Sequence, residues 1–162
     1  MKKIIPFILV MLMGACGNYL SAQESRYKAL YLFNFTKYID WSGENITIGV
    51  IGNSPVLLEL EALASQNHKI NLIKISGSEY VDDCDIIFLP SAQTRNFELI
   101  QEKIGSNSTI LIAEDENLIT RGAEMAFYME GGKLKFTVNK SELEATGLKM
   151  SSSLMIQAKV VN

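Results

Sequence analysis

Three features of the sequence predict a single-domain, Rossmann-like α/β three-layer sandwich: short β-rich apolar runs, helical segments between them, and a Gly-Gly turn late in the chain. Nearly continuous apolar runs suit strands covered on both faces, and helices between such strands imply a mostly parallel central sheet with right-handed crossovers. The late turn adds a C-terminal β-hairpin. The chain has 162 residues. Without a targeting segment, roughly 140 remain, which fits one domain.

The elements follow in order. Residues 24–41 predict a helix, with Tyr27, Leu30, Tyr31, Phe35 and Tyr38 at spacings of three and four. Ala29, Leu32 and Phe33 widen the apolar stripe, leaving Lys28, Asn34 and Lys37 as its polar face. Asp40-Trp41-Ser42-Gly43 ends it. Residues 46–52 read as a central strand. Ser54 then reads as an N-cap with Pro55 at the first helical position, opening a helix over residues 56–66. Residues 70–75 and the run 84–90 are further strands, residues 94–104 a helix, and residues 109–113 a strand running into Glu114-Asp115-Glu116. Residues 123–129 and 133–138 form a hairpin across Glu130-Gly131-Gly132, because adjacent glycines supply the positive φ angles of a tight turn. Residues 141–160 predict one or two helices broken near Gly147.

The first 22 residues read as a signal peptide: Lys2 and Lys3 precede an apolar run from Ile4 to Met13 that is too short for a mature span. Two processing sites compete. Cleavage after Ala22 would release a soluble periplasmic protein of residues 23–162, whereas Met13-Gly14-Ala15-Cys16 resembles a lipobox that would lipidate Cys16 and anchor the chain to the envelope. Losing Lys2 and Lys3 leaves 13 basic against 18 acidic residues, a net charge of −5. An acidic surface repels phosphate backbones, so nucleic acid is excluded as a partner, and no basic amphipathic helix points to anionic lipid. Cleavage after Ala22 also leaves Cys84 as the sole cysteine, so no intramolecular disulfide can form.

Several blocks resemble the YfiR family of periplasmic α/β regulators. They are the aromatic stretch from Lys28 to Trp41, Gly52-Asn53-Ser54-Pro55, Cys84-Asp85-Ile86-Ile87-Phe88, the strand into Glu114, the hairpin, and Gly147 to Leu154. The likeness covers about residues 26 to 160 in order and spacing. It implies a non-enzymatic regulator that docks on the periplasmic domain of an inner-membrane signalling protein, a diguanylate cyclase or sensor kinase, and restrains it. Family members of that kind carry disulfides and respond to redox conditions. Here Cys84 has no partner cysteine after cleavage, so an intramolecular redox switch of that sort is removed.

The remaining polar groups are few. Cys84 and His68, the only histidine, make neither a nucleophile–base pair nor a four-ligand zinc site. The acidic groups at Asp82-Asp83-Asp85 and Glu114-Asp115-Glu116 read as solvated loops rather than metal sites. The sequence therefore predicts no catalytic residues, no metal and no cofactor. Tyr38 and Trp41, at the end of the aromatic helix, are the expected partner-binding residues, because Tyr and Trp dominate interface hot spots. Asn53, Ser54, Glu114, Asp115 and Arg121 mark the expected ligand pocket at the strand ends. That pocket would serve the alternative function, a periplasmic small-molecule binding module associated with envelope transport. Homodimerisation is compatible with either reading.

Overall fold

The computed structural model describes the main chain from residue 5 onward and side chains from residue 21 onward. The side chains of residues 5–20, among them Cys16, where lipidation is expected from the sequence, lie outside the described residues. Helix α1 (Ile5–Tyr38) leads into a two-residue strand, β1 (Ile39–Asp40). The domain proper then runs β2 (Ile46–Ile51), α2 (Pro55–Ala64), β3 (Ile70–Ile75), β4 (Ile86–Leu89), α3 (Phe97–Ile104), β5 (Ile110–Ala113), β6 (Met125–Glu130) and β7 (Lys133–Asn139). It closes with α4 (Lys140–Ala145), β8 (Lys149–Met150), α5 (Ser152–Met155) and β9 (Lys159–Val161).

Seven strands form one sheet in the order β3-β2-β4-β5-β6-β7-β9. The first five are parallel, β7 turns back antiparallel to β6, and β9 runs parallel to β7. The mostly parallel sandwich expected from the sequence is therefore the architecture observed. Strands β1 and β8 pair separately and antiparallel, with Ile39 opposite Met150.

Strand side chains alternate between two cores, as a pleated sheet with both faces covered requires. Ile48, Val50, Ile86, Phe88, Ile112 and Phe127 face Ala29, Leu32 and Phe35 of α1 and Val56 and Leu60 of α2. Ile51, Ile87, Leu89, Leu111 and Ala113 face Phe97, Ile100 and Ile104 of α3. Tyr31 and Phe35 join Phe88, Phe127 and Phe136 in an aromatic cluster with ring centroids 5.2–6.4 Å apart. This cluster fixes α1 over the hairpin side of the sheet. Gly49 permits close packing beneath β2, where an added Cβ would lie 2.6 Å from Ile75 Cδ1 and 2.7 Å from Cys84 Sγ.

Two expectations need correction. Residues 141–160 are not helical throughout, because Val160 lies in β9 and pairs with Val138 of β7. The apolar residues there read as helical, but the edge of the sheet supplies the hydrogen-bond partners that decide the local structure. The aromatic helix stops at Tyr38, and of the expected stripe Ala29, Leu32 and Phe35 are buried, joined by Ser25 and Lys28, while its two ends, Tyr27 and Tyr38, are exposed. Tyr27 and Tyr38 are each 46% exposed, whereas Lys28, expected on the polar face, is 5% exposed.

Candidate functional site

The strongest arrangement of polar groups forms where α1 crosses the carboxyl ends of β4 and β5. Lys28 points inward, and its ammonium bonds Glu24 one turn earlier and Glu114 Oε1 at 2.6 Å. The other Glu114 oxygen accepts from the Ser91 backbone N–H at 2.7 Å, just beyond β4. A buried cation is tolerable only when paired and hydrogen-bonded, and these contacts meet that condition. Burial works to raise the pKa of Glu114, but the Lys28 and Ser91 hydrogen bonds and the Lys28 charge outweigh it, so the carboxyl is held below its ordinary value.

Above this cluster opens a cavity of about 510 Å³, walled by Glu24, Lys28, Glu114, Asp115 and Glu116 and floored by Phe127, Met129 and Leu134. A second cavity of about 450 Å³ continues along α1 over the hairpin, lined by Tyr27, Tyr31, Gly132 and Lys133, and shares Glu24, Met129 and Leu134 with the first. Tyr31 donates from its hydroxyl to the Leu134 carbonyl at 3.3 Å, tying helix to hairpin beneath the groove. Glu116 accepts from Thr137 at 3.1 Å and from Lys159 at 2.8 Å.

The sequence-selected pocket residues separate in the structure. Glu114 and Asp115 line the first cavity, and the Asp115 side chain also caps the following turn by accepting from Asn117 N–H at 3.0 Å. Ser54 caps α2, accepting from Val56 N–H at 3.3 Å, and neither it nor Asn53 lines the cavity. They stand at the switch point between β2 and β4, where folds of this order place ligands. Here Gln93 covers that position: a Cβ on Gly52 would meet Gln93 Nε2 at 2.8 Å. Arg121 pairs instead with Glu98 and lies 5.0 Å from the Phe97 ring centroid.

The two expected partner-binding residues also differ. Tyr38 is half-exposed beside β1 and β8, lining a shallow depression of about 310 Å³ with Lys37, Asp40 and Lys149. Trp41 packs partly into the α1-side core, and its indole N–H is buried with no hydrogen-bond partner among the described residues. Sequence reasoning missed Lys28, although Glu24 four residues earlier was a visible helical ion-pair signal.

Other polar groups have structural duties. Asp85 accepts from Thr47 N–H at 2.8 Å and so joins β2 to the approach of β4 rather than standing in solvent. Cys84 is buried, and burial, helped by Asp83 and Asp85, pushes its thiol up to about 12, far from a reactive thiolate. No group of three or more metal-ligating side chains converges among the described residues. Among the same residues, no helix is long and apolar enough to cross a membrane.

The model of a family described as YfiR/HmsC-like matches residues 25–159, from within α1 to the start of β9. The chain belongs to that family. YfiR/HmsC-like proteins are periplasmic regulators of diguanylate cyclases, regulatory rather than catalytic in kind. No curated protein matches the sequence. Among solved structures, a conserved domain protein from Vibrio cholerae O1 biovar El Tor matches with TM-score 0.57 and 14% identity, over 85% of this chain and 60% of that one. An ABC domain from Streptococcus pneumoniae, solved in complex with L-Trp, matches with TM-score 0.56 and 12% identity, over 72% of this chain and 55% of that one. At these identities the likeness establishes the α/β fold alone, and the chain spans under two-thirds of either structure.

Proposed function

We propose that this YfiR/HmsC-like chain is exported by removal of residues 1–22 and docks on the periplasmic domain of an inner-membrane signalling protein, a diguanylate cyclase or sensor kinase, restraining its output. The observation that carries the proposal is the family match over residues 25–159. The chain would act by population shift: it binds the inactive receptor more tightly than the active one, and the ratio of the two affinities sets how far output falls. Half-exposed tyrosines at Tyr27 and Tyr38 support a recognition role, since exposed aromatics supply large contact area at low entropic cost.

Crosslinking intact envelopes and purifying the tagged chain tests this. The expected result is a membrane signalling protein joined through its extracytoplasmic domain, and recovery of envelope components without such a receptor would contradict it.

The cavity of about 510 Å³ at the strand ends favours a second reading, a small-molecule binding module of the envelope. A thermal-shift screen separates the two. A ligand at 100 times its dissociation constant adds about 2.7 kcal/mol of stability, whereas a docking protein with no small ligand shows no such rise.

A further inference from the structure

The two cavities beside α1 form one groove with a chemical gradient along it. At the hairpin end the surface is apolar: Tyr27 is 46% exposed and Met129 53% exposed, with Tyr31 and Leu134 beneath them. At the strand end it is acidic, for Lys28 is one cation serving both Glu24 and Glu114, Lys159 answers Glu116, and Asp115 has no cationic partner among the described residues. Lys133 at the hairpin rim is the cation lining the second cavity. Among the described side chains, four acidic groups at the strand end thus face two cations, Lys28 and Lys159, beside the exposed apolar side chains of Tyr27 and Met129.

We infer that this groove holds a basic amphipathic segment of the partner, its apolar side chains on Tyr27 and Met129 and its Lys or Arg residues against Glu24 and Asp115. The inference rests on the docking function proposed above and names the surface and the partner chemistry. Apolar contact at the hairpin end supplies most of the affinity. The acidic end supplies orientation and encounter rate, so binding weakens with salt. Lys28 positions the walls without touching the partner, since its ammonium is committed to Glu24 and Glu114.

Photocrosslinking in living cells tests the groove. A photoreactive residue replaces Met129 in the full-length chain, and separate chains carry it at Tyr38 or at Leu58, the latter 70% exposed on α2. Mass spectrometry then identifies the adducts. The Met129 probe is expected to join an extracytoplasmic segment in which apolar residues alternate with Lys or Arg, at least tenfold more than the Leu58 probe does. Asp115→Asn, which keeps the oxygen that caps the following turn, is expected to reduce that adduct several-fold while circular dichroism stays unchanged. Tyr27→Ser is expected to reduce it further.

An adduct with a second copy of this chain, with lipid, with a small molecule or with a segment lacking basic residues would overturn the inference, as would equal yields at Met129 and Leu58. If a membrane signalling protein is captured through Tyr38 and not through Met129, the groove assignment fails and docking survives. If no position captures such a receptor, docking itself fails.

Discussion

Glu114 and Glu124 are both largely withdrawn from water, yet the fold treats them oppositely. Glu114, at the carboxyl end of β5, has the buried Lys28 ammonium and the Ser91 N–H and stays ionised below its ordinary range. Glu124, at the amino end of β6, accepts from the Leu111 N–H at 2.8 Å, but no cation accompanies it among the described residues. Burial therefore pushes it up to about 7, and the neighbouring Glu142 adds to the rise. The difference lies in what the sequence brings across the sheet. A long helix laid over the carboxyl ends delivers a lysine to one carboxylate, while only backbone amides, those of Leu111 and of Glu124 itself, meet the other among the described residues. The end with an ionised cluster carries the groove.

The largest test of this contrast removes the lysine. Lys28→Met should leave Glu114 uncompensated and cost about 3 kcal/mol, the lower end for a broken buried pair because Glu24 and part of Glu114 reach solvent. Urea unfolding at pH 7 measures it. Adding Glu114→Gln should recover part of the loss, and a single-variant loss below about 0.5 kcal/mol would break the comparison.

Next in size is the pH dependence of Glu124. Its folded pKa lies above its unfolded value of 4.5, so the folded state holds the proton more tightly. The Glu124 contribution to stability is full below pH 4.5 and is lost as pH rises through about 7, by about 3 kcal/mol in all. Glu124→Gln should flatten that decline when unfolding is followed between pH 4.5 and 8.5. For Glu114 the sign reverses, since its lowered pKa gives stability that is present above 4.5 and lost as pH falls. Lys28→Met should abolish this acid-side loss.

A smaller effect concerns the switch point. Ser54→Ala removes the N-cap of α2 and should cost about 1 kcal/mol in thermal or urea unfolding, with ligand and partner binding unchanged because Ser54 lies off the cavity. Smallest is the chemistry of Cys84. With its thiol at about 12, alkylation by iodoacetamide at pH 8 should run many-fold slower than in the urea-unfolded chain, and equal rates would show the buried setting to be wrong.

Much of this was legible in the sequence, and the exceptions share a cause. The central strands could be read because nearly continuous Ile, Val and Leu runs fit a sheet covered on both faces, and β2, β4 and β5 follow that pattern. Ser54-Pro55 announced α2, and Gly131-Gly132 announced the hairpin, with φ of 57° and 73°. Strand β9 was not legible, because three residues become a strand only by pairing with β7, more than twenty positions earlier. Lys28 was misread for the same reason: its burial depends on Glu114, 86 positions away. Glu114 and Asp115 are grouped by adjacency and line one cavity, whereas Asn53, Ser54 and Arg121 were added by strand-end position, and the Gln93 side chain and the Arg121–Glu98 pair send them elsewhere.

The most direct measurement reconstitutes the receptor recovered from crosslinked envelopes in vesicles and follows its output as the purified mature chain is added on the periplasmic side. Output should fall to a floor and return when Tyr27→Ser with Asp115→Asn replaces the native chain. Output that stays constant at saturating chain, or a chain that converts any substrate by itself, would contradict the account.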